Sequence, residues 1–344
     1  MKHAVLLLVS LGFVSSCNCG MPSEPDAGSL DAGSDDAGPI DAGEVDSGFD
    51  AGPFDAGFDA GLDAGPIDAG DGCPVPADAG PVFRLRAMAA NLTSGNLQSY
   101  TPGNGQKIMQ GVKPDVVMLQ EFNIGSNSDA DFSAFANSLS KTDAGMYWSR
   151  GPTAQIPNGI ISRWPITEAG NWADPKVDNR GFAWAHIDLP GPRDLWVVSL
   201  HLLTSSAADR NAEGVALIAK LQAVVPATDF LLIGGDFNTN SRTETVITTF
   251  SARLVTAGTQ PADNAGEQGT NAGRSKPYDW VLASKCLKAL QAPVLIGTHS
   301  FTNGLVVDTR VYTPMTDLAP ATYGDSASSN MQHMGVVKDF VIDL

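Results

Sequence analysis

Six segments of this chain share one form, and that form restricts what it can fold into. In each, an apolar, β-branched run abuts a single polar residue with chemistry to offer. Residues 83–90 end at Asn91, residues 114–120 at Glu121, and residues 195–200 at His201. Residues 230–235 end at Asp236, with Asn238 two positions on. The run at 278–282 carries Asp279 at its entry, and His333 immediately precedes the run at 334–337. Continuous apolar runs of this length suit strands covered on both faces. Between them lie stretches such as 209–225, with Ala, Leu and Ile at helical spacing. The sum is an α/β chain whose acidic, amide and imidazole groups can converge where strands end.

Charge divides the sequence. The chain has 344 residues, 21 of them Lys or Arg and 38 Asp or Glu, for a formal net charge of −17. Residues 17–80 hold 15 of the acidic side chains and no Lys or Arg, while residues 81–344 hold 23 acidic and 20 basic ones. The acidity therefore belongs to a tail, and the 264-residue body is nearly neutral and long enough for one large core. A near-neutral body argues against a protein that coats polyanions, which needs a dense phosphate-neutralising surface. A nuclease with few local contacts is compatible with it. No apolar run beyond the amino terminus reaches the roughly 18 residues that span a bilayer.

Residues 1–16 read as a lipoprotein signal peptide. Met1-Lys2-His3 is a short positive start, an apolar run follows over 4–14, and Val14-Ser15-Ser16-Cys17 resembles a bacterial lipobox. Cys17 is then the lipidated first residue of an exported protein tethered to a membrane. Asn18 in place of Asp favours the outer membrane or cell surface. Cys19, Cys73 and Cys286 remain for an oxidising compartment, and an odd three permits at most one intrachain bridge, of open pairing. Residues 17–80 repeat Asp-Ala-Gly at irregular intervals with Pro between. They carry too few large apolar groups to offset chain entropy, so a disordered, self-repelling spacer is expected there. The strict period of calcium-binding β-rolls is missing. The catalytic body is expected over 81–344.

Taken singly, each polar residue has an ordinary explanation as a turn or core residue. Their joint order is what carries weight. It resembles the endonuclease/exonuclease/phosphatase superfamily, in its deoxyribonuclease I-like form. The specific pieces are Asp115-Val116-Val117-Met118-Leu119-Gln120-Glu121, Gly234-Gly235-Asp236-Phe237-Asn238 and Tyr278-Asp279-Trp280-Val281-Leu282. Supporting pieces run from Asn158 to Ile166 and from Ser199 to Leu202. The resemblance implies a four-layer α/β sandwich of two packed mixed β-sheets flanked by helices. It implies that Glu121 binds one divalent ion, Mg²⁺ or Mn²⁺, with Asn91 beside it. Asp236 would orient or deprotonate the attacking water, and Asn238 would hold a phosphate oxygen. His333, oriented by Asp279, would bond the phosphoryl group, with His201 as a second imidazole near the leaving group. Such a set supplies charge neutralisation, an aligned water and a proton.

The pattern departs from the family at Gln332, where Asp usually precedes the last histidine; a neutral amide is a poorer metal ligand. His201 resembles the strand-end histidine of the deoxyribonuclease I, sphingomyelinase and deadenylase groups, which disfavours abasic-site repair. Arg180, Arg274 and Lys276 are candidate phosphate contacts, while His186 and His299 read as structural. The Gly/Asn-rich stretches 96–105 and 262–273 read as substrate lips. The expected activity is a tethered, metal-dependent phosphodiesterase acting on DNA or RNA, with no protein partner implied. Its rivals are a sphingomyelinase-like phospholipid phosphodiesterase or phosphatase, and a non-catalytic surface binding module. A lipid enzyme needs an exposed apolar loop, for which Trp172 is an isolated candidate.

Overall fold

The computed structural model describes Cys73, residues 80–152 and residues 154–344; the signal peptide, Cys17, Cys19 and most of the acidic stretch lie outside the described residues. Two mixed sheets form its centre. The first has the order β10-β14-β1-β2-β4-β3, with β13 also paired to β14. Its strands are β1 (Val82–Ala90), β2 (Val116–Leu119), β3 (Tyr147–Arg150), β4 (Gly159–Ser162), β10 (Gln291–Ala292), β13 (Leu305–Val307) and β14 (Gly335–Asp343). The second is β5-β6-β7-β8-β9, built from β5 (Ile166–Ala173), β6 (Gly181–Ile187), β7 (Leu195–His201), β8 (Phe230–Asp236) and β9 (Asp279–Ala283). The hairpin of β11 (Val294–Ile296) and β12 (His299–Phe301) stands apart from both.

Each sheet contains one parallel pair, β1 with β2 and β7 with β8, and its other pairings are antiparallel. A parallel pair needs a crossover. Helix α1 (Asn104–Val112) makes the first and α3 (Ala207–Val224) the second. Ser206 caps α3 by accepting the Asp209 N–H, and α2 (Asp129–Ser138) starts with a reciprocal Ser128/Asp131 capping box.

Alternation along β1 shows how the layers arise. Leu85, Ala87 and Ala89 face the core between the sheets, while Met88 and Ala90 face the helical side with Ile108, Met109, Phe132 and Phe135. On the far side, Leu217 and Leu221 of α3 and Phe250 of α4 (Thr245–Phe250) cover Val198, Leu231 and Ile233. Helix, sheet, sheet, helix: the chain has the four layers expected from its sequence.

Gly234 and Gly235 let the sheets meet. A Cβ on Gly234 would lie 2.6 Å from Met118 Cε, and one on Gly235 would lie 2.1 Å from the Leu200 carbonyl oxygen and 2.6 Å from Gln120 Nε2. Gly235 also holds φ at 141°, which side chains resist. Gln120 uses this closeness to donate to Ser199 Oγ at 2.9 Å, a bond from one sheet to the other.

Cys73 and Cys286 form a disulfide, with Cys286 in α5 (Lys285–Ala289). The pairing left open by the sequence is thus settled, and covalent attachment to the body begins ahead of residue 81. Trp172 is not isolated. Its indole stacks on Trp184 at 5.5 Å, and Trp184 packs on Trp196 at 5.6 Å. His186, read from the sequence as structural, stacks on Trp196 and lies 3.0 Å from Thr167 Oγ1 and 3.1 Å from Asp194. Among the described residues, no helix is long and apolar enough to cross a membrane.

Candidate active site

The two parallel pairs point their carboxyl ends at one rim of the sandwich. Asn91 and Glu121 follow β1 and β2; His201 and Asp236 end β7 and β8. Strands β14 and β9 run antiparallel to β1 and β8, so their amino ends reach the same rim and bring His333 and Asp279 there. In the second sheet the register places His201 opposite Asp236 and Asp236 opposite Asp279, a single cross-strand row. Glu121 and Asn238 hold positive φ values of 53° and 50°, uncommon for residues with a side chain. Such backbone cost, of order 1–3 kcal/mol each, is tolerated where surrounding packing enforces it.

Asp236 is the hub. Its Oδ2 lies 3.2 Å from Asn91 Nδ2, 3.2 Å from His201 Nε2 and 3.4 Å from His333 Nε2, and its Oδ1 accepts the Asn238 N–H at 2.9 Å. On the other side of His333, Nδ1 meets Asp279 Oδ2 at 3.0 Å. The imidazole is therefore held between two carboxylates. Asn238 is fixed by donating from Nδ2 to the Leu202 carbonyl at 2.9 Å. Glu121 receives Thr93 Oγ1 at 2.8 Å, Gln98 Nε2 at 3.0 Å and Asn91 Nδ2 at 3.4 Å.

Burial and crowding set the protonation of these groups. Burial alone would push the His333 imidazole down, but the charges of Asp236 and Asp279 overcome it and hold it at about 10. Burial, reinforced by the Asp279 charge, lifts Asp236 to about 6 against the pull of His333. Glu121 and Asp279 are also raised, again chiefly by burial. His201 goes the other way: burial, then the Arg180 and His333 charges, hold it well below its ordinary value. At neutral pH one imidazole is thus charged and the other neutral.

The donors fit a hard divalent cation. Asn91 Oδ1 is buried without a hydrogen-bond partner, and since Nδ2 of the same amide faces Glu121 and Asp236, a turn of the amide brings the oxygen beside the Glu121 carboxylate. An unpartnered amide oxygen next to a raised carboxylate is what an oxygen-preferring ion with its own waters requires. Asp236, Asp279 and His333 also present ligand atoms within 4.8 Å of one another. Their closeness is already accounted for by the 3.0 Å and 3.4 Å contacts of a protonated imidazole. Hard ions favour oxygen over imidazole, so Glu121 with Asn91 is the better seat.

Some expected contacts are placed elsewhere. Arg274 is spent within the protein: Nη1 meets Asp308 at 2.5 Å and Asp263 at 2.8 Å, and Nε donates to the Gly269 carbonyl at 2.7 Å. It braces a loop and does not clamp phosphate. That loop, 262–273, is not a free lip either. Thr270 Oγ1 accepts the Asp279 N–H at 2.7 Å, the Thr270 carbonyl accepts the Met334 N–H at 2.6 Å, and Asn271 bridges to His333. It holds the Asp279–His333 pair together. Lys276 stays at the rim, its Nζ 5.7 Å from the Tyr278 ring, which in turn lies 5.6 Å from the His333 ring. Arg180 is buried at the start of β6, in the field of Asp236 and Glu121. Gln332, the departure from the pattern, is exposed. Thr93, Gln98 and Thr270 were not singled out from the sequence. The first lies two positions past Asn91 and the others sit in the Gly/Asn-rich stretches, so position was the available signal.

A family model described as the endonuclease/exonuclease/phosphatase family matches residues 89–310, which span every strand-end residue above except His333. The chain belongs to this family. Among solved structures, the endonuclease/exonuclease/phosphatase from Beutenbergia cavernae is 19% identical with a TM-score of 0.48, over 76% of this chain and 72% of that one. Sphingomyelinase C from Streptomyces griseocarneus is 16% identical at 0.45, over 75% of this chain and 99% of that one. A truncated Caenorhabditis elegans TDP2 is 13% identical at 0.43, over 75% and 97%. Likenesses this distant do not discriminate among substrates. No curated protein matches the chain. Family membership makes phosphate-ester hydrolysis its chemistry.

Proposed function

We propose that this protein is a divalent-metal-dependent phosphodiesterase whose substrate is DNA or RNA, acting outside the cytoplasm from a lipid anchor at Cys17. One observation carries the reading. An oxygen donor set (Glu121, Asn91) and a carboxylate–imidazole–carboxylate chain (Asp236, His333, Asp279) stand on one rim, joined through Asn91 Nδ2 and Asp236. A Mg²⁺ or Mn²⁺ ion held by Glu121 and Asn91 would neutralise developing charge on the phosphoryl oxygens. Asp236, once ionised, accepts a proton from the attacking water. His333 carries the proton and the positive charge that face the phosphoryl group, and Asp279 keeps its ring in place. Asn238 and neutral His201 complete the wall. The Cys73–Cys286 disulfide supports export to an oxidising compartment.

Plasmid nicking by the mature chain, retaining Cys73, tests this directly. Nicking in Mg²⁺ that is abolished by EDTA and by His333→Ala is the expected result. Equal nicking by His333→Ala would sink the site assignment. One feature favours a lipid phosphodiester instead: Leu97 is 93% exposed, next to the Gln98 that touches Glu121. Hydrolysis of sphingomyelin vesicles without plasmid nicking would establish that alternative, and tight metal binding without either activity would leave a binding module.

A further inference from the structure

Behind the site lie two carboxyl groups, one fully buried and one half-buried, that the roles above do not use. Glu213 on α3 is fully buried, and its Oε2 accepts the Leu203 N–H at 2.9 Å. Its Oε1 accepts no hydrogen bond, and neither does Oδ2 of Asp174. Asp174, just after β5, uses its other oxygen to accept the Lys176 and Val177 N–H groups at 2.8 and 3.3 Å. The two side chains face each other at hydrogen-bonding distance. Ionised carboxylates only accept, so such a contact needs a proton between them. One shared proton satisfies both orphan oxygens at once. Burial is the main force that keeps it there, lifting Glu213 to about 8, with the Asp174 charge adding and the Leu203 N–H opposing.

The pair joins two segments that matter. Glu213 fixes Leu203, two residues past His201. The Leu202 carbonyl between them accepts both Asn238 Nδ2 at 2.9 Å and Arg180 Nη2 at 3.3 Å. Asp174 shapes the turn that leads into Arg180. Arg180 and Asp174 both line a cleft of about 250 Å³, with Gly151, Pro157 and Asn171. Arg180 Nε is buried without a partner. A guanidinium with a spare donor, held on the Leu202 carbonyl that also accepts from Asn238 and lying in the field of Asp236, suits a phosphate oxygen.

We infer that Glu213 and Asp174 are a proton-sharing pair that positions Arg180 for a substrate phosphate oxygen, and that loss of the shared proton draws Arg180 away from that pose. The inference rests on the phosphodiesterase reading above. Once the proton leaves, two like charges face each other, that of Glu213 fully buried. Of the cations nearby, Lys176 is paired with Asp209 at 2.8 Å and Arg210 with Glu244 at 2.8 Å. Arg180, at the head of β6, is left to neutralise the new charge and is withdrawn from substrate. Glu213 and Asp174 are thus positioning residues.

The test compares the parent with Glu213→Gln, whose amide donates to Asp174 and cannot ionise. In the parent, KM for a phosphodiester should rise about tenfold from neutral to alkaline pH, the scale of a lost charged hydrogen bond, with its midpoint near 8. In Glu213→Gln, KM should stay flat and close to the parent's neutral value. Infrared difference spectra of the parent should show a protonated-carboxyl band that titrates over the same range and is missing from the variant. The alkaline rise persisting in Glu213→Gln, or no such band in the parent, overturns the inference. Should the parent cleave no phosphodiester, the functional reading fails separately. The band and calorimetric affinity for inorganic sulfate, weakening at alkaline pH in the parent alone, then decide the pair's role.

Discussion

The two parallel strand pairs are built alike and equipped differently. β1-α1-β2 and β7-α3-β8 each make one crossover and each deliver three polar groups to the rim. The first delivers oxygens: Asn91, Thr93 and Glu121, hydrogen-bonded to one another. The second delivers His201, Asp236 and Asn238, groups that move or direct protons. Antiparallel β9 and β14 extend only the second kind, adding Asp279 and His333. On the function proposed above, a repeated scaffold is divided between charge neutralisation and proton transfer, with Asn91 bonded to both Glu121 and Asp236 across the seam.

Breaking the proton-transfer half should cost most. Asp236→Ala or His333→Ala should lower kcat by about 10²–10⁴-fold, with the circular-dichroism spectrum unchanged. Breaking the oxygen half should cost less and in a different quantity. Glu121→Gln should raise the Mg²⁺ concentration for half-maximal rate by at least about tenfold, with much of kcat recovered at saturating metal. If saturating Mg²⁺ recovers nothing, the division of labour is wrong. Thr270→Val removes the acceptor of the Asp279 N–H and should cost about fivefold in kcat, the worth of one hydrogen bond, measured at fixed Mg²⁺.

The pH profile sharpens the comparison. Asp236 is held up at about 6 and works only when ionised, so log rate should climb as pH rises to about 6 and level above it. His333 at about 10 stays protonated throughout that climb. An acidic limb unchanged in Asp236→Asn would assign the titration to another group. The smallest effect on rate belongs to Cys286→Ser, far from the rim. It should leave kcat intact while removing about 2–4 kcal/mol of stability, read from chemical denaturation.

Six strands were legible from their apolar runs, and of these β2, β7, β8 and β9 are buried at every residue, whereas the half-exposed β3 and β5 carry no such run. Glu121, His201, Asp236, Asp279 and His333 were legible because they terminate or precede those runs. What escaped were partners brought in from loops, since Gln98 reaches Glu121 and Thr270 reaches Asp279 through turns without a period. Arg274 misled for the opposite reason. A basic residue near a site says nothing about Asp263 and Asp308, the acids that sequester it. Glu213 was not singled out, because helical spacing does not report that Asp174 meets it.

The disulfide decides how the molecule bears a pull. β1 sits inside its sheet between β14 and β2, and it is the first strand among the described residues. A tug arriving from the amino-terminal side would ordinarily peel that strand and dismantle the rim at Asn91. With Cys73 bonded to Cys286, the load passes through sulfur into α5 before it reaches Val82. The strand that carries the site is mechanically bypassed.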